Sequence, residues 1–328
     1  MTSPTFDPSL IEIFVTLVLG GTLIIPSKTL IKATNYLYKS CFLNDNIPNI
    51  EYNKNNNIDL TLMMTPSHLL SFDKRYIRNI LMGKTNVKNL VLGGEKFPSL
   101  NTLIDIILDG ENNFESISHI LGISIWNIYG ITENSVWASL YKVETVDFFN
   151  CIKYKRRIRS KTSNDNIIIQ NVNNNNDSRY NEQYLRDYTM DNVSLGLPLI
   201  NTTLLLRYID IDGLEKTVKI YKDITQYQDN KIFQSLSSRS DLFSLGRVSF
   251  NEYIIGELWI GGNRQCWVDL DENYKCGEYI FTGDIVIFNK TNRHLYHYGR
   301  LNQQIKYSGY RINLEQCNFA LEKVIKYL

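Results

Sequence analysis

The first half of the chain alternates between segments of helical spacing and short apolar runs that end at glycine. The runs VKNLVLGG (87–94) and ISIWNIYG (123–130) have the length of buried strands, whereas residues 66–83 and 99–110 have helical spacing. Buried strands separated by helices predict an α/β sheet. Ligands of such sheets bind beyond the carboxyl ends of the strands. We therefore expect a functional site beside Gly94 and Gly130.

Strands dominate the second half of the chain. From about residue 190, apolar runs such as LLLRYIDID, IIGELWIGG and EYIFTGDIVIFN alternate with turns. This pattern predicts a β-rich subdomain. We therefore predict an α/β part over residues 1–190 and a β-rich part over residues 191–299.

Charge and cysteine content argue against several classes of partner. Lys plus Arg number 35 and Asp plus Glu number 34, so no overall field would attract nucleic acid or an acidic membrane surface. Five cysteines without a CxxC pair suit reduced thiols, so we expect a cytoplasmic protein. The basic run KYKRRIRSK (153–161) is compatible with a nucleic-acid patch, but in a neutral chain we expect a solvated loop. A small molecule is the expected partner, with no nucleic acid and no membrane.

An apolar run near the amino terminus, LIEIFVTLVLGGTLIIP (10–26), resembles a membrane span in composition. It contains Glu12, breaks at Gly20-Gly21 and lacks a basic leader, so we predict a buried helix followed by a strand over TLIIP. Asp7 is a good N-cap and Pro8 suits the first helical position. A metal site at His294 and His297 is not expected, because the segment has no companion ligands.

The stretch NIYGITE (127–133) carries a set of groups suited to a nucleotide. Tyr129 offers a face on which a purine can stack, and Asn127 can hydrogen-bond a base edge. Thr132 can donate to a phosphate oxygen, and Glu133 is a hard oxygen ligand for Mg²⁺ beside phosphates. A capping threonine followed by a first-turn glutamate also fits an ordinary helix start. The stretch alone leaves both interpretations open.

Two later motifs add a carboxylate and several cations. Asp284 lies at a glycine turn in FTGDIV, where it can accept both hydroxyls of a ribose or serve as an ordinary turn residue. Arg300, Lys306 and Arg311 follow in YGRLNQQIKYSGYRI, where they can hold phosphates or face solvent on an edge strand. Neither motif decides between its two interpretations by itself.

The order of the motifs is more specific than any one of them. FDPSLIEIF, LVLGGEKFP, NIYGITE, LGLPL, GELWIGG, TGD and YGRLNQQIKYSGYRIN, in this sequence, resemble the adenylate-forming superfamily, which includes acyl-CoA synthetases, luciferases and the adenylation domains of peptide synthetases. The match is strongest to members that activate beta-alanine. It spans residues 2 to about 322, apart from two insertions at about 145–190 and 207–250. The resemblance implies that residues 300–328 form the hinge and the start of a small carboxyl-terminal domain.

The resemblance implies an activity and a set of nucleotide contacts. Such enzymes join a carboxylate to ATP with Mg²⁺, giving an acyl adenylate, and pass the acyl group to a thiol such as the phosphopantetheine of a carrier domain. Thr132 would meet the α-phosphate, Glu133 would bind Mg²⁺, and Asp7 would pair with the substrate's amine. The residues implied to hold the nucleotide are Gly94, Glu95, Asn127, Tyr129, Gly130, Asp284 and Arg300.

The resemblance also implies a substrate pocket with an apolar wall. Bulky residues in that wall, a large indole among them, leave room for a short substrate such as beta-alanine. A fatty or aryl acid is the alternative, although Asp7 would be an unusual residue for its pocket. The implied wall residues are Pro8, Ile11, Met63, Val91, Gly93, Ile128, Val136 and Trp137.

Three departures from the family pattern concern catalysis. The family's phosphate loop precedes FDPS and has no counterpart in the printed sequence, and the catalytic lysine of the carboxyl-terminal domain has none either. Asn302 stands where the family has its hinge aspartate. Since losing a single preorganised donor commonly costs about 100- to 1,000-fold in rate, we expect the chain to be an incomplete or inactive form. A non-catalytic nucleotide-binding protein is a further alternative.

Overall fold

The computed structural model describes most of the chain, and the elements given below lie within those parts. The described residues are 8–43, 59–108, 121–131, 133–134, 136–162, 178–210, 214–221, 225–229, 250–263, 275–276, 278–301, 304–307 and 310–313. Asp7, Thr132 and Asn302 of the predicted site lie outside them.

A five-stranded sheet with helices forms the first layer, which confirms the α/β prediction. Its strands follow the order β1-β2-β3-β4-β5. β1, β2 and β3 are parallel, and β4 and β5 are antiparallel additions. Because parallel strands need crossovers, helices separate the first three along the chain. The strands are β1 (Leu60–Met64), β2 (Val87–Gly93), β3 (Ser124–Tyr129), β4 (Ser139–Val143) and β5 (Leu197–Pro198).

Eight α-helices are present in the described residues. The helical pattern predicted over residues 66–83 forms two helices, because the Asp73 side chain caps a second start by accepting from the backbone N–H of Arg75 at 2.9 Å. A π-helix, Tyr38–Phe42, follows α3. The α-helices are α1 (Pro8–Val18), α2 (Lys28–Lys32), α3 (Thr34–Leu37), α4 (Pro66–Leu70), α5 (Lys74–Leu81), α6 (Leu100–Leu108), α7 (Thr145–Thr162) and α8 (Ser178–Asp191).

A seven-stranded antiparallel sheet confirms the predicted β-rich part. The order is β10-β11-β9-β6-β7-β8, with β12 also paired to β11. β11 is buried along its whole length, so its side chains face packed layers on both sides. A separate hairpin, β13 with β14, follows. The strands are β6 (Thr202–Ile209), β7 (Glu215–Ile220), β8 (Thr225–Asp229), β9 (Tyr253–Gly262), β10 (Lys275–Cys276), β11 (Tyr279–Asn289), β12 (His294–Arg300), β13 (Gln304–Tyr307) and β14 (Tyr310–Asn313).

A short connection around Gly196 joins the two sheets. Leu195 donates its backbone N–H to Leu295 of β12 at 2.7 Å, and its carbonyl accepts from the hydroxyl of Ser139 in β4 at 2.7 Å. Gly196 has a φ of +82°, which disfavours any residue with a Cβ. β5 then pairs with β4, so the first sheet continues past residue 190, and the domain limits given above stay a prediction.

Three segments differ from the sequence-based expectation. Helix α1 was expected to be buried, but apolar side chains along it are exposed: Leu10, Phe14, Val15, Leu17 and Val18. The basic run lies on helix α7, so it is not a loop. The TLIIP segment that follows α1 forms no strand, because it pairs with no described neighbour. Among the described helices, none combines the length and the apolar character that crossing a membrane requires.

Candidate functional site

Tyr129 and Asp284, from two motifs far apart in the sequence, are in direct contact. Tyr129 ends β3 of the first sheet, and its hydroxyl donates to Oδ2 of Asp284 on β11 at 2.6 Å. The pairing of β9 with β11 shifts register between Phe281 and Ile285. Bulges of this kind redirect side chains. Here the irregularity contains Asp284, which is therefore a strand residue and not part of a hairpin turn.

Local hydrogen bonds fix the TGD motif that carries Asp284. The Thr282 hydroxyl donates to the carbonyl of Leu258 at 2.8 Å and accepts from the backbone N–H of Asp284 at 3.0 Å. Gly283, between them, has a φ of +77°, which explains why a glycine stands there. The threonine, the glycine and the aspartate therefore act together to hold one carboxylate in place.

The Asp284 carboxylate is buried among three donors. It is 3% exposed, and its Oδ1 lies 3.3 Å from Nε2 of His297 and 3.3 Å from Nη1 of Arg300. Burial alone would raise the pKa of Asp284, but His297, Arg300 and Tyr129 together lower it below its ordinary value. The carboxylate is therefore ionised at neutral pH and acts only as an acceptor.

Tyr129 is the matching donor. Burial and the negative charge of Asp284 raise the pKa of Tyr129 well above its ordinary value. The phenol therefore keeps its proton and donates to the carboxylate at neutral pH. Its ring is partly buried against the core of the second sheet.

Replacing Tyr129 by phenylalanine tests the strength of this contact. The ring remains but the donor is lost, so we expect the free energy of unfolding to fall by about 1.5 to 3 kcal/mol, the usual contribution of a hydrogen bond to a charged group. Urea denaturation of both proteins measures the change. A variant as stable as the unmodified chain would show that this bond does not hold the sheets together.

The GGE turn lies at the carboxyl end of β2, beside β3. Gly94 has a φ of +82°, which glycine adopts without strain. Both carboxylate oxygens of Glu95 accept from Ser67, one from its backbone N–H at 3.0 Å and one from its hydroxyl at 2.9 Å. Glu95 is thus committed to the start of α4, a contact that the sequence did not indicate.

Asn127 lies next to this turn on β3. It is 4% exposed, and its amide donates to the carbonyl of Ser194 at 2.7 Å. Its register partner on β2 is Leu92. The amide N–H of Asn127 therefore helps to fix the connection between the sheets. The predicted contact with a base edge would use the remaining donor and acceptor positions of the Asn127 side chain.

Five predicted wall residues come together in the structure. Met63 pairs with Val91, and Gly93 pairs with Ile128, in neighbouring parallel strands. Residues that are paired or two apart share one face of a sheet. A Cβ on Gly93 would lie 2.4 Å from Ile128 and 2.9 Å from the Trp137 ring. The indole therefore packs directly against this face.

The loop after Tyr129 brings Trp137 there. Its described residues form no helix, so the stretch is not an ordinary helix start. Val136 has a φ of +73°, a strained value for a β-branched residue, and a Cβ on Gly130 would lie 2.9 Å from Trp137 Cα. Strain of this kind is common at binding sites. The indole N–H of Trp137 is buried without a partner in the described residues.

For the remaining predicted site residues, the structure provides fewer contacts that bear on their roles. Pro8 and Ile11 lie on α1, which adds no residue to the described core of the first sheet, so their place in the wall stays a prediction. Glu133 is partly exposed in its loop. A single carboxylate beside phosphates suits Mg²⁺, so Glu133 fits such a role. In the described residues, no group of three potential metal ligands occurs.

Two contacts near the site were not predicted from the sequence. His297 was not expected to touch Asp284, and Tyr188 of α8 was assigned to an insertion. The Tyr188 hydroxyl donates to the carbonyl of His297 at 2.7 Å and accepts from Lys96, beside the GGE turn, at 2.7 Å. The only sequence signal for His297 was its position three residues before Arg300.

Comparisons with known proteins give relatives in sequence and in fold. No protein-family model matches the chain. The beta-alanine-activating enzyme of Homo sapiens is 27% identical over 322 residues, covering 98% of this chain and 21% of the relative. That of Drosophila melanogaster is 32% identical over 145 residues, covering 43% of this chain and 12% of the relative. The chain thus spans about a fifth of the length of the human relative, and less of the fly relative.

Solved structures share the fold. The Vibrio cholerae adenylation domain AlmE, in complex with glycyl-adenosine-5'-phosphate, matches 98% of this chain and 44% of its own with a TM-score of 0.51 at 16% identity. IdnL1 matches 96% of this chain and 47% of its own with a TM-score of 0.52 at 14% identity. The chain is therefore similar in sequence, along nearly its whole length, to beta-alanine-activating enzymes, and it has the fold of an adenylation domain.

Proposed function

We propose that the chain binds an adenine nucleotide between its two sheets and takes part in activating a small amino acid as an aminoacyl adenylate. The observation that carries the proposal is the contact between Tyr129 and Asp284, with Arg300 beside the same carboxylate. It joins an aromatic ring, an ionised acceptor and a cation at the carboxyl end of β3, the place where α/β sheets bind ligands.

Each group has a role in this proposal. The Asp284 carboxylate accepts the ribose hydroxyls, Arg300 lies beside them, and the Tyr129 ring stacks on adenine while Asn127, Gly94, Glu95 and Gly130 line the slot. Thr132 donates to the α-phosphate. Glu133 holds Mg²⁺, which would neutralise phosphate charge. The amino acid's carboxylate oxygen would bond to the α-phosphorus of ATP as the bond to the β-phosphate breaks, giving the aminoacyl adenylate and releasing pyrophosphate.

The substrate proposed is a small amino acid resembling beta-alanine. Trp137 and Ile128 lie within contact distance of a Cβ at Gly93, so the wall leaves little space for a long side chain. The names of the relatives support this class of substrate. Asp7 pairs with the substrate's amine, and a carrier-domain phosphopantetheine thiol accepts the acyl group. The hinge role of Asn302 belongs to the same proposal.

Direct binding tests the proposal without requiring turnover. The chain is titrated by calorimetry with AMP and with non-hydrolysable sulfamoyl adenosines that carry beta-alanine, a long fatty acid or an aryl acid. We expect AMP to bind and the beta-alanyl compound to bind more tightly than AMP. Tighter binding of the fatty or aryl compound would make the amino-acid assignment wrong. Failure of every compound to bind would contradict nucleotide binding itself.

Trp137→Ala tests the size limit of the pocket. Removing the indole empties space beside Gly93, so analogues with longer amino acids should gain about tenfold or more in affinity, as expected for one or two extra buried methylenes. AMP alone should bind as before, because Trp137 belongs to the wall and not to the ribose contacts. Calorimetry with the same compounds measures both. Unchanged preference for the short analogue would show that the indole does not limit size.

A further inference from the structure

His297 makes a contact that the proposed function does not use. Its Nε2 lies 3.3 Å from Oδ1 of Asp284, the oxygen that Arg300 also approaches at 3.3 Å. Tyr129 donates to the other oxygen, Oδ2, at 2.6 Å. An ionised carboxylate offers about four acceptor positions. In the described structure Oδ1 thus has two donors, whereas Oδ2 has the Tyr129 hydroxyl.

The contact fixes which ring nitrogen of His297 carries a proton. Because Asp284 is ionised, it can only accept, so Nε2 must be the donor. The other nitrogen, Nδ1, is buried without a hydrogen-bond partner in the described residues. A protonated Nδ1 would bury an unsatisfied N–H there. A proton on Nε2 therefore has an acceptor here, whereas a proton on Nδ1 has none in the described residues.

The backbone of His297 is held by other groups. Its carbonyl accepts from Tyr188 at 2.7 Å, and the residue pairs with Val286 in the sheet. Substituting the side chain therefore leaves the strand's own bonds in place. The imidazole can act on the orientation of Asp284 without being needed to hold β12.

We propose that His297 is a positioning residue: its Nε2–H fixes the rotation of the Asp284 carboxylate so that Oδ2 is presented as the acceptor for a ribose hydroxyl. The inference rests on the proposed nucleotide binding. It assigns to His297 the chain's discrimination between ribose and deoxyribose. Without His297, Oδ1 keeps only the contact with Arg300 at 3.3 Å while Tyr129 still donates to Oδ2, so the orientation of the carboxylate is fixed less firmly on the Oδ1 side.

The test compares His297→Phe with His297→Gln, whose amide can reach the same oxygen. AMP, 2'-deoxy-AMP and 3'-deoxy-AMP are titrated by calorimetry against each variant. We expect the unmodified chain to prefer AMP over at least one deoxy compound by about tenfold, the effect of one hydrogen bond. His297→Phe should reduce that preference to about threefold or less, with deoxy binding unchanged, and His297→Gln should restore it.

Other outcomes separate the two hypotheses. If His297→Phe bound AMP with the same preference as the unmodified chain, the positioning role would be wrong while nucleotide binding stood. An equal loss for all three compounds would indicate a structural role only and would also overturn the inference. If the unmodified chain bound none of them, the proposed function and this inference would both be wrong.

A second measurement requires no ligand. Nitrogen-15 NMR of histidine-labelled protein distinguishes the two neutral forms of the imidazole, and the spectrum of His297→Gln assigns the His297 signal. We expect the form with its proton on Nε2, changed in Asp284→Leu, where the acceptor is missing. A proton on Nδ1 in the unmodified chain would overturn the inference.

Discussion

Asp284→Asn is expected to reduce the affinity for AMP by about 30-fold or more and to lower the free energy of unfolding by about 3 to 5 kcal/mol. The substitution removes the carboxylate from a buried set of partners, and breaking a buried ion pair from one side costs this much because the remaining charge stays desolvated. Asparagine has one carbonyl oxygen. It can accept either from Tyr129 or from His297 and Arg300, which lie on opposite oxygens of the carboxylate.

The same variant should change how stability depends on pH. The pKa of Asp284 is lower in the folded protein than in the unfolded chain, where it is about 4. Its contribution is therefore fully present above about pH 4 and is lost as the pH falls through the folded value. Urea denaturation between about pH 3 and pH 7, which lie on either side of the ordinary pKa of aspartate, measures this effect. We expect acidification to lower the free energy of unfolding less in Asp284→Asn than in the unmodified chain.

Asp73→Asn is the matched control for the expected losses of AMP affinity and of stability at neutral pH. Asp73 pairs with Arg75 at the surface, and its pKa is lowered to about 2 by hydrogen bonds from Arg75. Asparagine is an equally good N-cap, so little change in stability and none in AMP affinity is expected. If Asp73→Asn and Asp284→Asn had equal effects, the importance assigned to the buried carboxylate would be refuted.

Gly196→Ala is expected to lower the free energy of unfolding by about 2 to 5 kcal/mol. Two costs combine, since a left-handed backbone costs a residue with a Cβ about 1 to 2 kcal/mol and overpacking adds about 1 to 3 kcal/mol. At Gly196 φ is +82°, and a Cβ would lie 2.0 Å from the carbonyl oxygen of Leu140. Because that contact is with backbone, β4 and β5 would have to separate. Urea denaturation measures the loss.

Two other glycines serve as controls that separate these costs. Gly20 has a φ of +71° with nothing within 4 Å of a Cβ, so Gly20→Ala should show the backbone cost alone. Gly299 has open space and no positive φ, so Gly299→Ala should change stability little. If Gly196→Ala were no more destabilising than Gly20→Ala, the clash with Leu140 would have to be relieved by a small backbone shift.

The local sequence pattern was sufficient to predict the strands that carry the candidate site. Strands β2 and β3 were predicted because an apolar run ending at glycine is a local signal, and the two-sheet architecture followed from the change of pattern near residue 190. Tyr129 and Asp284 were both singled out. Periodicity did not predict their contact, because the contact joins two sheets and the two residues are 155 positions apart in the sequence.

Long-range contacts explain what the sequence did not show. The basic run was expected in a loop because its charges suit solvent, yet a solvated helix satisfies them equally well. For His297 the sequence indicates a satisfied or exposed histidine, and its contact with Asp284 depends on the irregular register between β11 and β12. Glu95 was assigned to the nucleotide slot, and nothing near it in the chain indicated that Ser67 would occupy both of its oxygens.

Helix α8 has a consequence for how the molecule unfolds. It contacts the first layer through Asp191, which accepts from the backbone of Asn101 at 2.9 Å, and the second sheet through Tyr188. Arg186 also forms an ion pair at 2.9 Å with Glu252, the residue before β9. A helix bonded to both sheets opposes the opening of either one alone. Cooperativity between the sheets therefore depends on a segment outside the ordered family motifs.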